Sequence, residues 1–289
     1  MQLTALNVKI CYNQILFSNI YYSKFSFDLH RKIKRKDLEF MKIFSFINKK
    51  GGVGKTTITV NMAYAIAESC DLRVLVIDND DQGNDSQFFE ANPEKSLADI
   101  LLGKANIQEI IQPTRYPKID IVASGAALLD ANVVVIKDED IVQQTILKNA
   151  LGKVADSYDI CLIDNPPTIN ASVINALVAS DEVIIVTTPD IYGIRGVSQM
   201  VDYIEAIKEY NPNLRFRGCL LNKFSSTPHG FRCIELLRSR FPLFTTRIRY
   251  TKDKLEASAE ERKAIFEYSP NCGFARDLVH FFKELLAGE

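Results

Sequence analysis

The stretch Lys49-Lys50-Gly51-Gly52-Val53-Gly54-Lys55-Thr56-Thr57 constrains this chain more than any other. Its glycines open backbone conformations that side chains forbid and let successive N–H groups turn toward one anion. The flanking residues decide between a surface turn and a phosphate site. Residues 42 to 47 (Lys-Ile-Phe-Ser-Phe-Ile) are rich in β-branched and aromatic side chains and predict a buried strand. Residues 57 to 68 carry Val60, Ala63, Tyr64 and Ala67 at helical spacing. Strand, glycine-rich turn and helix is the context in which the loop G-x-x-x-x-G-K-[ST] cradles phosphate, once Lys50 is admitted as an extra basic residue near its front. In such a loop Lys55 reaches the β/γ-phosphates and the Thr56 hydroxyl ligates Mg²⁺, while the following helix N-terminus adds partial positive charge.

Two further segments fit a nucleotide site. A hydrophobic run over 73 to 77 ends in Asp78-Asn79-Asp80-Asp81-Gln82-Gly83-Asn84, and another over 159 to 163 ends in Asp164-Asn165-Pro166-Pro167. Both place carboxylates at the C-terminal edge of a strand, where open α/β sheets bind ligands. Taken singly, an aspartate there is as well read as a turn or helix cap. A phosphate loop upstream shifts the reading toward metal and water.

Lys-Gly-Gly-Val-Gly-Lys-Thr-Thr at 50 to 57, Asp-x-Asp-x-Gln-Gly-Asn at 78 to 84 and Asp-x-Pro-Pro at 164 to 167 resemble the deviant Walker A ATPases of the ParA/MinD group. The segment from Asn175 to Val186, Glu256-Ala257 and the closing helix resemble the ParA branch, which segregates DNA. The resemblance implies ATP and Mg²⁺ as cofactors and gives Lys50 the role of the signature lysine, which reaches across an ATP-sandwich homodimer to the partner's phosphates. It further implies that Gly51, Gly52, Val53 and Gly54 cradle phosphate, that Lys55 and Thr56 act as above, and that Thr57 meets the α-phosphate. Asp78 is expected to organise magnesium-bound water, Asp80 to orient the attacking water, and Asp164 to be the Walker B aspartate beside the metal. Asn222, expected just after a strand over 216 to 221, stands where relatives often contact adenine. Asp81 and Asn165 depart from the family pattern, which has Pro at the first position and commonly Thr or Cys at the second. These departures bear on hydrolysis rate rather than on binding.

At 289 residues and 47% hydrophobic content, the chain can bury the core of one large α/β domain. Strand-like segments near 42 to 47, 73 to 77, 119 to 123, 159 to 163, 182 to 187, 214 to 221 and 243 to 249 alternate with helical ones. That order predicts a mostly parallel twisted sheet with helices on both faces. Six cysteines show no C-x-x-C pair and no metal-ligand spacing with the three histidines, so free thiols in a reducing cytoplasm are expected. No apolar run approaches the roughly 18 residues that span a bilayer.

The expected domain covers 41 to 289. Residues 1 to 40 lie outside it, with Phe17, Tyr21, Tyr22, Phe25 and Phe27 followed by a basic run at 30 to 36. Two readings fit them: a basic aromatic arm that touches DNA or membrane, or an extension upstream of a start at Met41.

Net charge is −1, but from Lys208 to Lys254 eleven basic residues face three acidic ones. That segregation suits phosphate backbones, with Arg215, Arg217, Arg247, Arg249 and Lys252 as candidate contacts, unless several of these arginines cap helices or pair internally. No base-reading module is present, so nonspecific double-stranded DNA is the expected ligand. The resemblance adds a ParB-like adaptor as partner and a cytoplasmic, nucleoid-associated location. Two alternatives stay open. A MinD-like membrane-positioning ATPase needs a basic amphipathic tail, whereas the helix expected over 274 to 286 reads as core-packing and no stable membrane association follows. A metabolic P-loop enzyme, such as a dethiobiotin synthetase or a nitrogenase iron-protein relative, shares the fold. Iron–sulfur chemistry is disfavoured because Cys161 falls inside a strand.

Overall fold

Alternate side chains on each central strand enter opposite apolar layers, and this dictates a sheet covered on both faces. Val74 and Val76 join one core cluster while Leu75 and Ile77 join another; Phe44 and Phe46 divide from Ile47 in the same way. The computed structural model describes residues 40–137 and 143–286. The extension expected over 1 to 40 therefore lies outside the described residues, apart from Phe40.

The strands are β1 (Lys42–Ile47), β2 (Val74–Asp78), β3 (Ile111–Pro113), β4 (Ile119–Val122), β5 (Ile160–Asp164), β6 (Glu182–Thr187), β7 (Arg215–Phe224) and β8 (Leu243–Arg249). The helices are α1 (Lys55–Cys70), α2 (Asn84–Phe88), α3 (Leu97–Leu101), α4 (Ile107–Ile110), α5 (Ala127–Lys137) and α6 (Ile146–Gly152). They continue with α7 (Ala171–Ala179), α8 (Ile191–Ile207), α9 (Pro228–Arg238), α10 (Lys252–Glu260), α11 (Ile265–Tyr268) and α12 (Gly273–Leu286). The sheet order is β3-β4-β2-β5-β1-β6-β7-β8, parallel throughout except for the β3–β4 pair. The expected α/β architecture is the observed one. Strands β2, β5 and β6 are buried along their whole length, as strands covered on both faces must be.

One face carries α1, α11 and α12, whose Met62, Ile66, Phe274 and Phe281 pack with Phe44 and Phe46. α12 buries Phe274, Leu278, Phe281, Phe282 and Leu285, in accord with a core-packing helix. The other face is covered by α3 to α7 over β2 and β5, and by α8 and α9 toward β7. Strand β3 escapes the sequence pattern: it has three residues, ends in Pro113 and lies at the sheet edge, where a proline costs no ladder bond.

Two expectations change. β7 runs through Phe224, so Asn222 lies inside the strand rather than after it. The five basic residues expected on one DNA-facing surface also do not come together. Arg215 and Arg217 open β7, whereas Arg247 and Arg249 close β8 and Lys252 opens α10. In parallel neighbours the start and end of a strand lie at opposite edges, about 30 Å apart over ten residues. Arg217 is also spent internally: its buried Nε meets Glu182 Oε2 at 2.9 Å and its Nη2 donates to the Leu285 carbonyl at 3.0 Å. Arg249 forks onto Asp277, with Nε and Nη2 at 2.7 and 2.6 Å from its two oxygens. Arg247 stacks its guanidinium 5.5 Å from the Phe224 ring, and exposed Lys252 pairs with Glu256 at 3.5 Å. Arg215 remains mostly in solvent, 3.9 Å from Glu182.

Arg217→Ala should destabilise the protein by about 3 kcal/mol in urea unfolding, since it leaves buried Glu182 with only its longer contacts to Lys42 and Arg215. A loss below ~1 kcal/mol would mean that the pair is solvated.

Candidate functional site

Parallel pairing brings the ends of β1, β2 and β5 to one level, and the candidate residues collect there. Asp78 is in register with Asp164, and Asp164 with Phe46 near the end of β1. Beyond β1 the chain turns through Gly52 at φ +70° and Gly54 at φ +93°, conformations that favour glycine. A Cβ on Gly54 would also fall 2.4 Å from the Asn222 amide nitrogen. α1 then starts at Lys55 with no side-chain cap, which leaves its first N–H groups free for an anion.

A cleft of about 830 Å³ opens at this point. Its floor includes Gly51, Gly52, Gly54, Lys55, Thr56 and Thr57, and Asp80 and Asn222 line its walls. Leu255, Ser258 and Ala259 of α10 close the far side, with Arg262 and Lys263 at the same wall. Val53 is buried beneath the loop.

The polar contacts are directional. Thr56 Oγ1 donates to Asp164 Oδ2 at 2.5 Å, so its lone pairs remain available for a cation. Lys55 is buried, and burial lowers its pKa against the opposing pull of Asp164 and Asp80. Asp78 accepts from Ser86 N and Oγ at 2.8 and 2.7 Å and from Asp80 N at 3.2 Å. Burial still pushes its carboxyl up to about 6. Asp164, also raised chiefly by burial, stands at about 7. Asp80 takes the Gln82 N–H at 3.1 Å, which fixes its carboxylate at the cleft wall.

Lys50 behaves differently from Lys55. Its Nζ donates to Asp190 Oδ2 at 2.6 Å and to Thr188 Oγ1 at 3.1 Å, and it does not line the cleft. Asn222 Nδ2 donates to the Val53 carbonyl at 2.7 Å, so the amide braces the phosphate loop from β7. Lys223, at φ +54°, sends Nζ to the Gly52 carbonyl at 2.7 Å.

Of the two departures, Asn165 has a structural task. Its Nδ2 reaches the Phe46 carbonyl at 3.1 Å and its Oδ1 accepts from Asn79 at 2.8 Å, tying β1, β5 and β2 together. Asp81 accepts from Gln82 and faces the cleft. Sequence reasoning passed over Lys223, Asp190 and Asp85. The first two have no local signal, because their partners lie more than 130 residues away. Asp85 did have one, as a fourth carboxylate in the run 78 to 85.

Residues 41–216 match the AAA_31 family model, an AAA domain. The chain is 32% identical to the sporulation initiation inhibitor protein Soj of Bacillus subtilis over 253 residues, covering 85% of this chain and 98% of that one. It is 33% identical to the chromosome partitioning protein ParA of Myxococcus xanthus over 205 residues, 69% and 71% of the two chains. The chain belongs to the ParA family of P-loop ATPases. Apo McdA from Cyanothece shares the fold at a TM-score of 0.76 and 17% identity, covering 85% of this chain and 99% of that one. Cobyrinic acid a,c-diamide synthase from Mycobacterium smegmatis, with a bound ATP analogue and magnesium, aligns at 0.70 and 26% identity over 84% and 96% of the chains.

A divalent cation suits the donors present. Asp164 Oδ1 is buried with no hydrogen-bond partner among the described residues, and Thr56 offers its oxygen beside it. Mg²⁺ keeps waters and uses one or two carboxylates plus phosphate, which matches a single free carboxylate oxygen beside a hydroxyl.

Both raised carboxyls bind protons more tightly folded than unfolded, so their contribution to stability falls as pH rises from about 4 to about 7. In EDTA, Asp164→Asn should therefore gain stability relative to the unmodified protein across that window, by ~2 kcal/mol at its top. Urea titrations at about pH 5 and about pH 8 check this. A difference that does not change with pH would show that Asp164 is ionised throughout.

Proposed function

We propose that this chain is a DNA-partition ATPase. ATP joins two copies into a sandwich homodimer, the dimer holds double-stranded DNA without reading its sequence, and a ParB-like adaptor stimulates hydrolysis and releases it near the nucleoid. Lys50 carries the reading. It belongs to the phosphate loop, yet its ammonium is turned out of its own cleft toward Asp190 and Thr188, which leaves Lys55 as the loop lysine that lines that cleft.

Within the cleft, the loop N–H groups and Lys55 hold the phosphates, with Thr57 near the α-phosphate. Thr56, Asp164 and Asp78 hold the metal side, where bound Mg²⁺ supplies positive charge against the β/γ-phosphates. Asp80 orients the attacking water. Asn222, its Nδ2 committed to Val53, keeps only its carbonyl oxygen for the base. The chain's family membership and the similarity to Soj and the Myxococcus ParA support partition over the other ATPase roles. Against a MinD-like role, α12 spends its apolar face on the core.

The DNA surface is best sought on α9 and the turn after it, where Arg232, Arg238 and Arg240 are exposed and no ion pair among the described residues engages them. Arg215 and Lys252 remain secondary candidates. Arg217 and Arg249 are committed to Glu182 and Asp277.

DNA binding measured with ATP, ADP and no nucleotide tests the reading. Binding should require ATP and ignore sequence. Its log affinity should fall with log salt at a slope of about −4 to −5 if roughly five phosphates are neutralised per dimer. Charge reversal at Arg232, Arg238 and Arg240 should lower it for all sequences alike. Lys50→Ala should bind ATP but fail to dimerise or turn over, whereas Lys55→Ala should lose affinity for the nucleotide itself. Turnover that ignores DNA and instead needs a small-molecule acceptor would select the metabolic alternative, to which the cobyrinic acid synthase likeness points.

A further inference from the structure

Strand β7 departs from regular pairing where it meets the phosphate loop. Leu221 stands opposite Arg247 and Phe224 opposite Arg249, so β7 holds one residue more than β8 over that interval. Lys223, inside the irregularity, has φ +54°. A bulge of this kind re-aims side chains. In a regular strand Asn222 and Lys223 would point to opposite faces of the sheet. Here both reach the same loop: the Asn222 amide donates to the Val53 carbonyl at 2.7 Å, and the Lys223 ammonium to the Gly52 carbonyl at 2.7 Å. The ammonium also lies 5.6 Å from the centre of the Tyr250 ring. Gly52, Lys223 and Tyr250 all line the cleft. The two carbonyls belong to successive trans peptide units, in which C=O and N–H point in opposite directions. Fixing the Gly52 and Val53 carbonyls toward β7 therefore turns the Val53 and Gly54 N–H groups away from it.

We infer that Lys223 is a positioning residue for the nucleotide phosphates, which it serves through the loop by clamping the Gly52 carbonyl. A loop with glycine at 51, 52 and 54 has many conformations open to it, and ordering it when an anion arrives costs entropy. Asn222 restrains one peptide plane, and Lys223 restrains the one before it. The charged donor makes the stronger bond of the two, and the Tyr250 ring holds the ammonium at the cleft. A left-handed backbone is strained for a lysine, and such strain persists where the surrounding contacts hold it. Because the clamp acts on the loop, its effect follows the phosphate chain and not the base. The inference rests on the nucleotide reading above and adds to it a residue that none of the three motifs contains.

The probes are ATP and inorganic tripolyphosphate, which carries a phosphate chain and no base, each titrated with Mg²⁺ into the full-length protein and followed by calorimetry. Lys223→Met keeps the side-chain length and removes the ammonium. It should weaken ATP and tripolyphosphate alike, by about tenfold or more. Lys223→Gly relieves the left-handed backbone, so without nucleotide it should melt no lower than Lys223→Met, yet it should show the same loss of affinity. Lys223→Arg, which keeps a cationic donor, should restore most of the binding. A fall in ATP affinity with tripolyphosphate affinity unchanged would assign Lys223 to the base and overturn the inference. Unchanged affinity for both probes in the Met and Gly variants would overturn it too and leave Lys223 a turn residue. Failure of the unmodified protein to bind either probe would instead sink the nucleotide reading itself, so the two failures are distinct.

Discussion

The shared level at which β2, β5 and β1 end is the constraint on which the site depends. Because the three are parallel neighbours in fixed register, Asp78, Asp164 and the phosphate loop leave the sheet side by side. A one-residue slip would turn every side chain on the shifted strand to the opposite face, and the division of Val74, Leu75, Val76 and Ile77 between two cores forbids it. Asn165 secures the same register with polar contacts. Its amide bridges β1 to β2 across β5, so a position that departs from the family pattern serves the geometry of the site rather than its chemistry.

That geometry has an electrostatic consequence. Strand ends that gather acids also bury them, and Lys55, itself lowered by burial, is a modest counter-charge for Asp78, Asp80, Asp85 and Asp164. Burial raises Asp78 and Asp164, so a cation at their oxygens would offset part of that cost. Stability and ligand binding become linked: whatever binds the folded cleft and not the unfolded chain stabilises the fold in proportion to its concentration over Kd. The same argument explains why Thr56 donates to Asp164. The bond partly satisfies a buried carboxylate and orients the hydroxyl lone pairs outward.

Much of this was legible in the sequence because it is local. The glycines, Lys55, Thr56 and the strand-ending acids are set by contiguous residues, and the strand ranges near 42 to 47, 182 to 187 and 243 to 249 agree with β1, β6 and β8 as observed. What was not legible depends on long-range contacts. Asn222 looked like a loop residue, yet β7 extends past it because it pairs with β8 as far as Phe224 opposite Arg249, and this sets the Asn222 amide against Val53, 169 residues away in sequence. β3 carries too few residues for a period to register, and only the edge of the sheet makes it a strand.

Charge segregation along a sequence does not become segregation in space when the segment contains parallel strands. The basic run from 208 to 254 crosses the sheet twice through β7 and β8, so its members are distributed to both edges and to the helix between them. Some are then drawn inward: Arg217 to Glu182, which begins β6 beside the start of β7, and Arg249 to Asp277 on α12. Arg232 and Arg238 on α9, and Arg240 just beyond it, stay exposed, while Cys233, Ile234 and Leu237 face the core. The amphipathic pattern that seats α9 on the sheet is thus also what concentrates its arginines toward solvent.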